Sequence, residues 1–247
     1  MDVFQVEITS LGNACEGIGT LPSGKKIFVD SPVIPGEKCL VEITSEKSKF
    51  ARGKCVTLVS ASPDRVIPFG DEIPGANLAH MNYQAQLRYK QDKVRDCLIR
   101  LGGIDADEID KILNPIVPSG KVDHYRNHMQ YSIKDGHFCL KSQGTNDDVF
   151  IDDSPLEYEM FGASRNAIEE AFRDYPNRLI NGVVLRGSER TGEVLIELVS
   201  FADLTSELII RDVESFVNST GLADKLGAVG ITLRISNTAT EKTAMPS

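Results

Sequence analysis

Along residues 2–60 the apolar and polar positions alternate in short runs. Phe4, Val6 and Ile8 interleave with Val3, Gln5 and Glu7, the period-two pattern of a half-buried strand. Gly12, Gly17 and Gly19 punctuate the next segment. Lys26–Val29 is predicted as a short strand broken by Asp30-Ser31-Pro32, and Pro35-Gly36 marks a turn. Cys39–Ile43 is the next predicted strand, a polar turn runs from Ser45 to Lys49, and Arg52–Val59 is the last strand. Four or five short strands in about sixty residues predict a small barrel of the OB type. Gly17-Ile18-Gly19 lacks the third glycine of a dinucleotide loop and no helix signal comes after it, so turn glycines of a barrel explain it better.

The pattern changes after residue 60. Residues 61–80 hold three prolines and little periodicity, which marks a domain boundary. Asn82 is placed to cap a helix running to about Leu101, with Leu87, Gln91, Val94, Leu98 and Leu101 on one stripe and Gly102-Gly103 as its stop. Its other face carries Arg88, Lys90, Lys93, Arg95 and Arg100. A second short helix is predicted after Asp105, and a strand over Tyr125–Ser132 is predicted to pair with Phe138–Lys141. Asp147–Pro155 reads as a polar turn, and Ser164 as the cap of a helix through Tyr175. Gly182–Arg186 and Glu193–Ser200 read as a hairpin, Thr205–Asn218 as a helix and Val229–Ile235 as a closing strand. Hairpins and helices interleaved in this way predict an α+β second domain, with a polar tail after it.

Composition narrows the picture. The net charge is -9 over 247 residues, yet basic and acidic residues balance as far as residue 145, so all the excess negative charge lies beyond it. A nucleic-acid surface would therefore be a local patch in the neutral part. The five cysteines form no CxxC pair and are odd in number, which argues against a disulfide framework and a thiolate metal site. His124 and His128 are four apart but enter a strand-like segment, which spoils a helical zinc face. No nucleophile motif, calcium loop or membrane-length apolar run is present, and the N-terminal segment has no signal-peptide character. The expected compartment is the cytoplasm.

One turn stands out. Lys47, Lys49, Phe50 and Arg52 combine cations with an aromatic ring, the pairing that holds single-stranded nucleic acid by its phosphates and bases. The same residues also suit a solvated hairpin tip, and the sequence leaves both readings open.

The stretch ITSLGNACEGIGTLPSGKKIFVDSPVIPGEKCLVEI resembles a TRAM domain, the OB-like RNA-binding module. SPDRVIPFGDEIPGANLAHMNYQAQLRYK, with VDHYRNHMQYSI after it, is similar to the central region of TRAM-containing RNA uracil-C5 methyltransferases, which act on ribosomal and transfer RNA. LINGVVLRGSERTGEVLIELVS is similar to a later segment of the same region. The resemblance implies a fold of class α+β: an OB-like TRAM barrel over 1–61, a linker over 62–80, a central RNA-recognition domain over 81–236 and a tail over 237–247. It implies RNA contacts at Tyr125, Arg126 and Asn127, which match a Tyr-Arg-Asn-Lys motif with His128 in place of the lysine. An Arg126 that braces its own domain is the competing reading.

Two departures from the family shape the expectations. The family holds a 4Fe-4S cluster on four cysteines, three of them in a pattern ending CGGC just before the residues matched by His80, Tyr83 and Gln86-Leu87. The matching positions here are Ile73, Pro74, Gly75 and Ala76, with the first cysteine near Phe69 or Gly70 and the fourth at Ser154. Ile73, Ala76 and Ser154 offer no thiolate, so no cluster is expected. The family's Rossmann-like domain, which binds S-adenosylmethionine and carries the cysteine nucleophile, is expected to be absent, and with it the cofactor and any catalytic residue. The resulting expectation is the RNA-binding portion of a 23S rRNA or tRNA uracil-C5 methyltransferase-like protein, with a methyltransferase domain supplied in trans as one option. The alternatives are a stand-alone RNA- or ribosome-binding protein, or a degenerate relative kept for a protein contact.

Overall fold

The computed structural model describes residues 2–30, 32–67, 73–142, 147–176, 179–226 and 230–236. The chain divides into two compact units, Met1–Gly120 and Lys121–Ser247, so residues 62–120 go with the first. The expected tail and the Phe69/Gly70 position lie outside the described residues.

Unit one contains β1 (Val3–Glu7), β2 (Ser10–Leu11), β3 (Gly17–Thr20), β4 (Lys26–Asp30), β5 (Lys38–Glu46), β6 (Phe50–Ser60), α1 (Tyr83–Arg100) and α2 (Ala106–Ile112). The sheet order is β1-β5-β6-β4-β3-β2. Its two ends are successive stretches of one piece of chain. β1 pairs with β5 and β2 pairs with β3. Between them the Ile8 N–H donates to the Glu37 carbonyl at 2.9 Å and the Thr9 N–H to the Ile18 carbonyl at 2.8 Å. Because residues 3–11 serve both ends, the sheet closes into a barrel.

Val6, Ile8, Ile27, Val29, Val41 and Ala51 fill the interior, with the Cys39 and Cys55 thiols among them. The glycines expected in turns stand in strand β3. A Cβ at Gly19 would lie 2.3 Å from Val6 Cγ1 and 2.8 Å from the Glu7 carbonyl oxygen, so a bare Cα is what lets β3 close on β1. Gly53 does the same on β6, where a Cβ would meet Val41 Cγ1 at 2.5 Å.

Below the barrel a buried ion pair ties down the chain leaving it. Arg65 Nε donates to Glu37 Oε1 at 2.6 Å and Nη2 donates to Glu37 Oε2 at 2.9 Å and to the Pro32 carbonyl at 2.6 Å. Asn82 caps α1: its Oδ1 accepts from the Ala85 N–H at 2.8 Å and its Nδ2 donates to Asp64 Oδ1 at 2.8 Å. The expected apolar stripe on α1 is only partly used. Ala85 and Leu87 are buried, whereas Val94 and Leu101 are exposed. The N-terminal turns seat Ala85 against Ile34 and Met81, with Tyr89 at the margin; the C-terminal turns leave that core and meet α2, where Arg95 Nε and Nη2 donate to Asp110 at 2.7 and 2.8 Å.

Unit two contains β7 (His128–Lys134), β8 (His137–Lys141), β9 (Asp148–Phe150), α3 (Met160–Asp174), β10 (Gly182–Ser188), β11 (Glu193–Ser200), α4 (Ser206–Thr220), α5 (Leu222–Leu226) and β12 (Gly230–Ile235). Its sheet runs β12-β11-β10-β7-β8-β9. Met129, Tyr131, Phe138, Val183, Leu185 and Ile196 pack with Phe161 and Ile168 of α3 and Phe216 of α4. Three expectations are corrected here. The polar segment 147–155 contains strand β9, which pairs with β8. Helix α3 begins at Met160, and Ser164 is buried inside it rather than capping it. β12 runs parallel to β11, so α4 and α5 form a crossover and the unit is not purely hairpins with helices between them.

Candidate nucleic-acid interface

The outward face of the barrel brings the predicted patch together. Pairing β4 with β6 in parallel sets Lys26 opposite Phe50 and Phe28 opposite Arg52. Alternation buries Ile27, Val29, Ala51 and Gly53 and leaves Phe28, Phe50 and Arg52 facing out. The Phe28 and Phe50 rings meet edge to face at 5.6 Å and 88°. Arg52 lies over Phe28, its Cζ 5.6 Å from the ring centre, and Lys47 over Phe50 with Nζ at 5.5 Å. A hydrogen bond from the Lys47 N–H to the Phe50 carbonyl, 2.8 Å, closes the turn between β5 and β6 and leaves Lys49 exposed at its tip. The Lys25–Glu46 ion pair braces the same end of the barrel.

Phe28 is not among the residues the sequence marks. Its alternation with Ile27 and Val29 places it on a polar face, but its neighbour Arg52 comes from a strand 24 residues further on, through the parallel pairing.

The other predicted residues belong to unit two. Tyr125 is exposed. The Arg126 N–H donates to the Leu156 carbonyl at 2.8 Å, its own carbonyl accepts from the Tyr158 N–H at 3.0 Å, and the Asn127 carbonyl accepts from the Gly187 N–H at 2.9 Å. The main chain of this segment is therefore stitched on two sides. A buried network underlies it. Arg165 Nε and Nη2 donate to Glu157 Oε1 at 3.0 and 2.7 Å, and Nη1 donates to the Asp152 carbonyl at 2.9 Å. The Tyr131 hydroxyl donates to Glu157 Oε2, and burial, with the Glu157 charge next in size, pushes its pKa far up, so the proton stays. His124 Nδ1 lies 2.9 Å from the Glu157 carbonyl oxygen.

The positions where relatives of the resembled family carry cluster cysteines hold other chemistry. Ile73 and Ala76 are joined by an N–H to carbonyl bond of 3.0 Å in a turn, with Gly75 at φ +78°. Ser154 is buried, and its hydroxyl accepts from the Leu156 N–H at 3.4 Å. These side chains do not fit an iron–sulfur cluster. Cys39, Cys55 and Cys139 are buried, and no group of three His, Cys, Asp or Glu side chains comes together among the described residues.

A cavity of 590 Å³ opens beside the aromatic pair, between the β2–β3 end of the barrel and α1. Ile18 and Phe28 form one wall, Ile34, Met81 and Ala85 the floor, and Tyr89 the helix side. The Tyr89 hydroxyl donates to the Gly12 carbonyl at 2.8 Å, which fixes that ring.

A closed barrel with this outward face is the fold of a TRAM domain, and the TRAM family model matches residues 2–56. Across most of its length the chain is homologous to RNA uracil-C5 methyltransferases. It is 30% identical over 230 residues to the 23S rRNA (uracil(1939)-C(5))-methyltransferase RlmD of Photobacterium profundum, covering 86% of this chain and 46% of that one. It is 33% identical over 227 residues to the uncharacterised RNA methyltransferase YwfF of Lactococcus lactis, covering 85% and 42%. Among solved structures, the Pyrococcus abyssi tRNA (uracil-54, C5)-methyltransferase in complex with S-adenosyl-L-homocysteine matches with a TM-score of 0.65 at 20% identity, over 95% of this chain and 52% of that one. The chain thus spans about half the length of the relatives it matches.

The structural match corrects the expected fold class. A fold defined by the absence of a methyltransferase domain does not describe this chain, because its two-sheet architecture aligns with a methyltransferase over 95% of its residues. The physical reason is that a glycine-rich loop and a cysteine nucleophile motif report on chemistry, whereas fold is set by strand order and packing, which carry no such motif.

Proposed function

We propose that this chain is an RNA-recognition part of an RNA uracil-C5 methyltransferase, binding structured RNA of the ribosomal or transfer class through its TRAM barrel. The observation that carries the reading is the outward face of β4 and β6, where Lys47 and Arg52 lie over Phe50 and Phe28. Two rings offer surfaces for unpaired bases, and the cations around them meet phosphates. The names of the relatives, one for 23S rRNA and one for tRNA, support the RNA class. Tyr125, Arg126 and Asn127 belong to the proposal as a second contact, since their stitched main chain holds them in a fixed geometry. No catalytic step is assigned to a residue of this chain.

Replacing Lys47, Lys49 and Arg52 together by Gln tests the reading. The expected outcome is weaker binding to structured RNA, with the slope of log K against log salt flattened by about two for a single-stranded contact of three phosphates. An unchanged affinity and slope would remove the barrel face from the account.

The cluster positions give a second test. With Ile73, Ala76 and Ser154 in place of cysteines, anaerobically purified protein is expected to contain no stoichiometric iron or acid-labile sulfide. One cluster per chain would show that other residues hold it.

A further inference from the structure

Resting on that reading, we propose that the cavity beside Phe28 seats a single unpaired guanine base of the bound RNA. Three observations on unit one carry the inference.

The first is continuity. Ser10 and Ile18 on β2 and β3, Phe28 on β4 and Arg52 on β6 lie in one cross-strand row. The row runs from the cavity wall to the cationic face without a break, so a strand held at Arg52 passes directly over Phe28 to the cavity mouth. The second is shape. The cavity measures 590 Å³, room for one nucleotide, and it has an apolar floor and aromatic sides at Phe28 and Tyr89.

The third is charge. The cations that line the cavity are already engaged. Arg88 Nη2 lies 2.6 Å from Asp64 Oδ2 and Arg100 Nη2 3.3 Å from Asp96 Oδ2. Lys93 Nζ donates to the Asn13 carbonyl at 3.0 Å. The exposed Asp92 carboxylate, by contrast, lines the cavity and feels the Arg95 charge but has no hydrogen-bond partner among the described residues. Glu16, Asp64, Asp92 and Asp96 outnumber Arg88, Lys93 and Arg100 in the lining, and with the Asp92 carboxylate open the site disfavours phosphate and favours a base edge rich in N–H donors. Guanine presents two adjacent donors, N1–H and the N2 amino group, which a carboxylate accepts as a pair. Uracil offers one donor flanked by two carbonyl oxygens, and adenine and cytosine each pair one amino group with a ring acceptor. Guanine is therefore the base this cavity suits. Phosphates stay on the Lys47–Arg52 face, and the cavity reads the base.

The test uses the intact chain and oligouridine RNAs of about twelve nucleotides carrying one central guanosine, adenosine, cytidine or uridine. The guanosine RNA is expected to bind about tenfold more tightly than the uridine RNA, within the range of one stacked and hydrogen-bonded base. Asp92→Asn, a change at an exposed residue, should reduce that preference to within about twofold while leaving the salt slope unchanged. Phe28→Leu should weaken all four RNAs, and Phe28→Tyr should restore them. A 6-thioguanosine at the central position should photo-crosslink to Phe28, Tyr89 or their neighbours in the cavity. Salt-sensitive binding that depends on Lys47, Lys49 and Arg52 but ignores the central base would overturn the guanine site and leave the barrel-face reading standing. Crosslinks confined to other parts of the chain would do the same. No binding to any of the four RNAs, or to structured RNA, would overturn both.

Discussion

His80 is buried, and its Nε2 has no hydrogen-bond partner among the described residues. Burial, and then the Arg65 guanidinium, push its pKa down to about 4 from the ordinary 6.5, while Glu37 pulls the other way. The unfolded chain therefore takes up a proton near pH 6.5 that the folded chain refuses until about pH 4. The neutral ring favours the folded state fully above pH 6.5, and that contribution is lost as the pH falls towards 4, by on the order of 3 kcal/mol. Comparing urea unfolding at pH 7 and pH 4.5 for the native protein and His80→Asn isolates this residue from the carboxylates that titrate alongside it. The variant should lose less stability over the interval; an equal loss in both proteins would assign the pH dependence elsewhere. The sequence marks His80 by resemblance alone. Its neutrality comes from burial and from the Arg65 guanidinium, held in place by Glu37 28 residues earlier, and these meet only in the fold. Phe28 escapes notice for the same reason: its partner arrives through a parallel strand pairing that no local pattern announces. Lys47, Lys49, Phe50 and Arg52 are legible because one turn holds them all.

At the scale of elements, boundaries are legible where a side chain performs a local task. Asn82 announces α1 and does cap it, and Gly102-Gly103 announces its end. Ser164 looks like a cap and is not, because apolar packing of Phe161 extends α3 by a turn before it. β9 is hidden in a run of acidic residues, since its strand character comes from pairing with β8 rather than from its composition. The apolar stripe of α1 is longer in the sequence than in the packing: a helix pattern shows which face is apolar, not how far a neighbour extends along it. Asn82 does more than cap, because its Nδ2 and its own N–H both reach Asp64. Asn82→Ala is expected to cost about 1–2 kcal/mol, measured by chemical denaturation, and Asn82→Asp to recover the cap but not the amide donor. A loss below about 0.3 kcal/mol would mean that α1 is held by Ala85 and Leu87 alone.

For the whole molecule, charge placement is the most informative bulk property. The balanced first 145 residues include the barrel whose outer face carries the cations, and the excess acid lies beyond them. On the proposed reading the cations of this face are what meets RNA, and the affinity they supply is expected to fall as salt rises. The two-sheet architecture is partly legible as two domains, but the parallel placement of β12 beside β11 needs a crossover that periodicity cannot reveal. Motifs misjudge the fold class because a fold is a pattern of strand order, and the likeness to a solved methyltransferase, along 95% of this chain and 52% of that one, reads that pattern directly.

The doubly used stretch of residues 3–11 also sets an order of events. The β3–β4 hairpin closes over a short loop, whereas β1 has its partner in β5, much further along the chain. The ring therefore cannot close before β6, the strand that joins β5 to β4. A nascent chain halted before β5 would display an open, apolar-lined sheet rather than a smaller version of the finished domain.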